Sequence, residues 1–172
     1  QLKGRYTKYQ KTLDAFLFCC YAGMRYSDFV NMKPDNIVEM HQETWLIYKS
    51  IKTGTEVRLP LYLLFSGKGI LILNKYQANL QDFFHLRDNS NVNKELIIIA
   101  RLAGVAKKVS FHTARHTNAT LLIYNGVNIT TVQKLLGHKS VKTTQIYTNV
   151  MDATIISDLE KNHSSVHRKK GK

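Results

Sequence analysis

Phe111-His112-Thr113-Ala114-Arg115-His116-Thr117-Asn118-Ala119-Thr120 sets two histidines around an arginine. Leu136-Gly137-His138 follows, and then Thr143-Thr144-Gln145-Ile146-Tyr147. Arg115 precedes His138 by 23 residues, and His138 precedes Tyr147 by nine. A guanidinium is a planar, permanently charged, bidentate ligand for oxyanions. An imidazole can give or take a proton near neutral pH, and a phenol can serve as a covalent nucleophile. A His-x-x-Arg pair, a glycine-histidine corner or a tyrosine each occurs by chance, so the order and spacing of the three carry the signal. His112 and His116, at i and i+4, could also share a metal on one helix face. No third ligand stands nearby in sequence, and Arg115 between them would repel a cation.

The rest of the composition narrows the partner. Twenty-five Lys and Arg face 12 Asp and Glu in 172 residues, a net charge of +13. An excess of that size points to a polyanion. The apolar fraction of 44%, with seven Phe, nine Tyr and one Trp, suits a chain with a real core in a single domain. No apolar run approaches 18 residues, so a membrane is the less favoured anion. Cys19 and Cys20 are adjacent in a helical run and point about 100° apart, which disfavours a mutual disulfide and suits a reducing cytoplasm. No carboxylate cluster suggests a two-metal site, so no cofactor or metal is expected. Gln1-Leu2-Lys3 lacks an initiator Met, which suggests an excised fragment.

The elements that must position these residues read as mainly helical with a small antiparallel β-hairpin or sheet. Thr7 to Met24 is expected to be a helix, with Leu13, Phe16, Leu17, Cys20 and Tyr21 on one stripe and Gly23 at its end. Ser27 is the expected cap of a short second helix. Pro34-Asp35-Asn36 reads as a turn. Thr44–Tyr48 and Glu56–Leu59 read as two strands around Lys52-Thr53-Gly54-Thr55. Pro60 to Phe65 and Gly69 to Phe84 read as helical. Asn91 to Asn93 cap a helix through Ala103, stopped by Gly104. Ala114 to Asn125 forms a long helix ended by Gly126. Thr130 or Thr131 opens a short helix through Leu136, and Ser140 caps the next, which carries Tyr147. Asp152 to Asn162 is a possible last helix, followed by a basic tail at 167–172.

The His112/Arg115, Leu136-Gly137-His138 and Tyr147 series resembles the catalytic core of the tyrosine recombinases, the phage-integrase family. Ala22-Gly23-Met24-Arg25-Tyr26-Ser27-Asp28-Phe29 is similar to that family's Thr-Gly-Leu-Arg-x-Ser-Glu-Leu. The resemblance runs from about Thr12 to Tyr147. It implies that Arg25 and Arg115 grip the nonbridging oxygens of a DNA phosphate, with hydrogen bonds from His112 and His138. His112 would be the general base, Asp28 a partner that holds the local structure, and Tyr147 the nucleophile of a 3′-phosphotyrosine intermediate. Lys52, in a Lys-Thr-Gly hairpin, is its best match for the general acid, with Lys49 as competitor. His116 is expected to pack beneath the site. Asn118 departs from the family's aromatic or apolar residue, a change expected to loosen packing.

The resemblance implies residues 1–151 as a DNA breaking and rejoining domain, 152–172 as a carboxy-terminal helix and tail, and an amino-terminal DNA-clamping domain absent from the fragment. It implies double-stranded DNA as partner and a homotetramer on DNA, with a monomer without it. Two rivals stand beside it. A type IB topoisomerase shares the tyrosine chemistry. A non-catalytic DNA-binding module would use the region from Thr130 to Tyr147 as a helix-turn-helix.

Overall fold

The computed structural model describes residues 1–148. It is mainly helical with one small sheet, as the sequence leads one to expect. The helices are α1 (Gln10–Ala22), α2 (Tyr26–Phe29), α3 (Lys68–Lys75), α4 (Leu80–Phe84), α5 (Asn89–Leu102), α6 (Phe111–Tyr124), α7 (Ile129–Leu135) and α8 (Lys142–Gln145). The strands β1 (Ile37–Met40), β2 (Glu43–Lys49) and β3 (Glu56–Pro60) form an antiparallel sheet in the order β1-β2-β3. The expected helix at Asp152–Asn162 and the basic tail lie outside the described residues.

Aromatic packing fixes the start of the chain. Phe29, on the one-turn α2, meets Phe83 at 5.3 Å and Phe84 at 5.4 Å between ring centroids, and touches Phe18 and Phe111 at 6.1 Å each. All five rings are buried. Edge-to-face contacts of this kind add stabilisation beyond burial. They anchor α2 between α1, α4 and α6, and thereby set the position of Arg25 and Asp28 beside it.

The sheet alternates as a one-sided sheet should. Leu46, Tyr48, Val57 and Leu59 are buried, while Lys49, Glu56 and Arg58 are exposed. Leu46 pairs with Leu59 and Tyr48 with Val57. The β2–β3 loop closes through Ser50 N–H to Thr55 O at 2.9 Å and Gly54 N–H to Ser50 O at 2.8 Å.

Several local expectations are corrected. The sequence led to two strands, and there are three among the described residues. Pro60 to Phe65 is not a helix: Pro60 ends β3 opposite Trp45, and Leu61 N–H bonds to Thr44 O at 3.1 Å. Gly69 to Phe84 is broken into α3 and α4. The cap of α5 is Asp88, whose carboxylate accepts from Ser90 N–H and Asn91 N–H. The cap of α7 is Asn128, which accepts from Thr130 N–H at 2.9 Å. Ser27 lies inside α2, whose N-cap position is Arg25. α8 is a single turn ending at Gln145, so Tyr147 lies just past it rather than on it.

Candidate active site

Arg25 follows the left-handed end of α1. Gly23 has φ +68°, and a Cβ there would lie 2.6 Å from Asn118 Oδ1 and 2.9 Å from Leu136 Cδ2, so both conformation and crowding require glycine. Arg25 Nη1 donates to Ser50 Oγ at 3.2 Å and lies 3.6 Å from Asp28 Oδ2. Asp28 is buried and accepts from Ile51 N–H at 2.8 Å and from Ser50 Oγ. A buried carboxylate requires such pairing. This one ties the base of the hairpin loop to the arginine, the holding role expected of Asp28.

Arg115 is the largest fully buried side chain of the described residues, 1% exposed. Its Nη1 donates to Gly23 O at 2.7 Å and its Nη2 to Leu136 O at 2.5 Å. These carbonyls stand at the C-terminal ends of α1 and α7, where helices leave acceptors unpaired and carry partial negative charge. One side chain therefore joins two helix ends and stays cationic at neutral pH. Burial, reinforced by Arg25, lowers its pKa to about 10.

His138 is delivered by a helix-ending turn. His138 N–H bonds to Gln133 O and Gly137 N–H to Lys134 O, both at 3.0 Å, with Gly137 at φ +61°. A Cβ on Gly137 would lie 2.6 Å from Val57 Cγ2, so the corner sits directly on β3. Thr53 Oγ1 donates to Gly137 O at 3.1 Å and docks the hairpin loop on the same corner. His138 is 7% exposed, and its Nδ1 lies 2.9 Å from Thr144 Oγ1. Burial, followed by the charges of Arg115 and Arg25, lowers its pKa to about 4.

His112 sits in the first turn of α6, which Ser110 opens with a reciprocal Thr113 bond. His112 is exposed, and partial desolvation, then the charges of His116, Arg115, Arg25 and Lys52, lower its pKa. Burial raises the Tyr147 phenol, and Arg115 and Arg25 pull it back in part. Contacts bring these residues together: Arg115 donates to the carbonyls of Gly23 and Leu136, two residues before Arg25 and His138, and the His116 ring touches those of His112 and Tyr147. Lys52 is exposed on the loop, and its charge adds to the field that lowers the pKa of His112.

His116 is half-buried and meets His112 at 4.4 Å and Tyr147 at 5.3 Å between ring centroids. It thus lies beside both rings rather than beneath the site. No group of three or more His, Cys, Asp or Glu side chains gathers around a common point among the described residues.

Asn118 reverses its expectation. It is buried, and its Nδ2 donates to Cys20 O at 3.0 Å and Tyr21 O at 2.9 Å. It fastens α6 to the end of α1 instead of loosening it. A polar residue amid Ala114, Ala119 and Leu122 was the signal available in the sequence. Ser50 was missed because nothing local distinguishes it from any other hairpin serine. Tyr48 was missed as well; its buried hydroxyl has no hydrogen-bond partner among the described residues, and it lies in the field of Asp28 and Arg115. The helix-turn-helix alternative is not favoured, because α8 spans only four residues and buries Thr144.

The family described as the phage integrase family matches residues 5–154. Tyrosine recombinase XerC of Rickettsia bellii (strain OSU 85-389) is 31% identical over 163 residues, 89% of this chain and 50% of that protein. The chain spans about half the length of the curated relatives that it matches along most of its own length. Among solved structures, XerA recombinase is similar with a TM-score of 0.66 at 24% identity, covering 89% of this chain and 63% of that one. XerH site-specific recombinase, bound to palindromic difH substrate as a post-cleavage complex, is similar with a TM-score of 0.67 at 19% identity, covering 95% and 48%. At these identities the structural likeness is one of fold. No helix among the described residues is long and apolar enough to cross a membrane.

Proposed function

The chain belongs to the phage integrase family, and on that premise we propose that it is the catalytic part of a site-specific DNA recombinase. The carrying observation is that residues far apart in sequence meet at one place: Arg115 donates to Gly23 O, two residues before Arg25, and to Leu136 O, two before His138, while the His116 ring touches those of His112 and Tyr147. A phosphodiester under attack gathers charge on its nonbridging oxygens, and fixed cations in a partly dry site stabilise that charge before any reorganisation. Arg115 is held by two carbonyls and Arg25 by Asp28 and Ser50, so both are preorganised.

In the proposed reaction the Tyr147 phenolate oxygen forms a bond to phosphorus. The bond to the 5′ oxygen breaks, and Lys52 protonates that oxygen as it leaves. His112, whose pKa is lowered by partial desolvation and neighbouring cations, takes the phenol proton. The 3′-phosphotyrosine retains the ester energy, so a 5′ hydroxyl from another strand reverses the steps and reseals the DNA. No metal or ATP enters this scheme. Residues 1–151 form the catalytic unit of this reading, its partner is double-stranded DNA, and its setting is the cytoplasm. Assembly on two duplexes makes a homotetramer, with the isolated chain a monomer. Site-specific exchange between duplexes is preferred over type IB supercoil relaxation because XerC, a tyrosine recombinase, matches along most of this chain.

Incubation with a nicked suicide duplex, whose cleaved 5′ fragment diffuses away, tests this proposal. A denaturant-resistant protein–DNA adduct on the 3′ side supports it. Cleavage leaving only free ends, or an adduct on the 5′ side, would contradict it.

A further inference from the structure

Thr144 has no part in the proposed reaction, yet its side chain is fully buried and directed at a site residue. Its hydroxyl oxygen lies 2.9 Å from His138 Nδ1, and among the described residues that nitrogen is the hydroxyl's one hydrogen-bond partner. The backbone fixes both ends of the contact. Thr144 N–H bonds to Val141 O at 2.8 Å, and His138 is held between its N–H to Gln133 O and its own carbonyl, which accepts from Gln133 Nε2 at 3.1 Å.

The direction of the bond follows from counting protons. A hydroxyl has one proton to give, and leaving it buried without an acceptor is unfavourable. If Thr144 donates, Nδ1 accepts, and a neutral imidazole must then carry its proton on Nε2. If instead Nδ1–H donated to Oγ1, the hydroxyl proton would be stranded and Nε2 would present a bare lone pair. A lone pair repels a phosphate oxygen, whereas an N–H binds one. The doubly protonated ring would strand the same hydroxyl proton, which agrees with a ring held neutral.

We infer that Thr144 is a positioning residue that locks His138 in the Nε2–H tautomer, so that the ring offers a donor to a phosphate oxygen. The functional half of this inference rests on the proposed reading of the site. The tautomer itself does not. Selecting the ring form through the other nitrogen is a general way of aligning an imidazole.

Long-range 1H–15N correlation spectra of the 172-residue chain without DNA test the tautomer, with the His138 signals assigned by their loss in His138→Gln. At neutral pH the wild type is expected to carry its proton on Nε2. Thr144→Ser should keep that form, and Thr144→Val should populate Nδ1–H beside it. A wild-type ring protonated on Nδ1 overturns the inference even if Thr144→Val fails to fold. An undiminished Nε2–H form in folded Thr144→Val overturns it too. Adduct formation on the nicked duplex reads the consequence. Thr144→Val should fall by roughly tenfold or more with duplex affinity unchanged, and Thr144→Ser should restore it. Equal rates in Thr144→Val and wild type would overturn the positioning role. Absence of adduct in the wild type would instead count against the recombinase reading, with the spectra still deciding the tautomer.

Discussion

The ring of His116 rests against that of Tyr147, with centroids 5.3 Å apart and planes at 60°. The other face of the contact is His112, 4.4 Å away and perpendicular. His116 therefore stands where it can steady both the proposed nucleophile and the proposed base. His116→Ala should lower the rate of adduct formation by roughly tenfold through looser positioning, with duplex binding retained. His116→Phe, which keeps a ring, should recover part of the loss. Single-turnover cleavage with saturating enzyme measures this directly; equal rates for all three proteins would remove His116 from the account.

The clasp between α6 and α1 makes a stability prediction. Asn118→Ala leaves the Cys20 and Tyr21 carbonyls without their donor and should cost about 1–3 kcal/mol. Gly23→Ala should cost at least as much, since the new methyl meets Asn118 Oδ1 at 2.6 Å and the backbone has φ +68°. Urea denaturation of both variants and of the double variant checks this. The two effects should be less than additive, because they share one contact.

Much of this arrangement was legible because the site is built at helix ends, and helix ends have local signatures. Gly23 before Arg25 and Gly137 before His138 each mark a terminus that the sequence displays, whereas α6, expected from Ala114, begins at Phe111 behind the Ser110–Thr113 capping pair. The third strand was not legible. β1 and β2 are joined through His41 and Gln42, both with positive φ (54° and 65°), where a tight hairpin usually declares itself with Asn or Gly. Likewise, the partners of Arg115 are backbone carbonyls 92 and 21 residues away. Carbonyls are present at every residue, so no pattern of side chains could have named them. The role of Asn118 was misread for the same reason.

Acid should weaken the fold through its histidines. His138 has a pKa of about 4 in the folded chain against 6.5 for the free side chain, and His112 is shifted in the same direction. The folded state thus favours the neutral rings, and the unfolded chain takes up protons first. The stability concerned is fully present above about pH 6.5 and is lost as pH falls from there toward 4. For His138 the loss should be on the order of 1–2 kcal/mol after allowance for solvent screening. Urea midpoints between pH 7.5 and 4.5 should fall less steeply in His138→Gln than in the wild type. A parallel pH dependence in the two proteins would refute the assignment.

The leaving oxygen distinguishes the two hairpin lysines. Lys52→Ala should cleave poorly, and a duplex with sulfur in place of the bridging 5′ oxygen should restore much of the rate, since a thiolate departs without a proton. Lys49→Ala should cleave the ordinary duplex nearly as well as wild type. If the sulfur substitution rescues Lys49→Ala and not Lys52→Ala, the acid has been placed on the wrong lysine.

In the proposed reaction it is Tyr147 that forms the bond to DNA. Peptide mapping by mass spectrometry of the adduct trapped on a nicked suicide duplex tests it most directly, with Tyr147→Phe treated in parallel. The substitution removes one oxygen and keeps the ring beside His116, so the fold and noncovalent DNA binding should persist. A nucleotide should be found on the peptide that contains Tyr147, with no adduct from Tyr147→Phe. A nucleotide on any other residue, or an adduct that survives Tyr147→Phe, would contradict it.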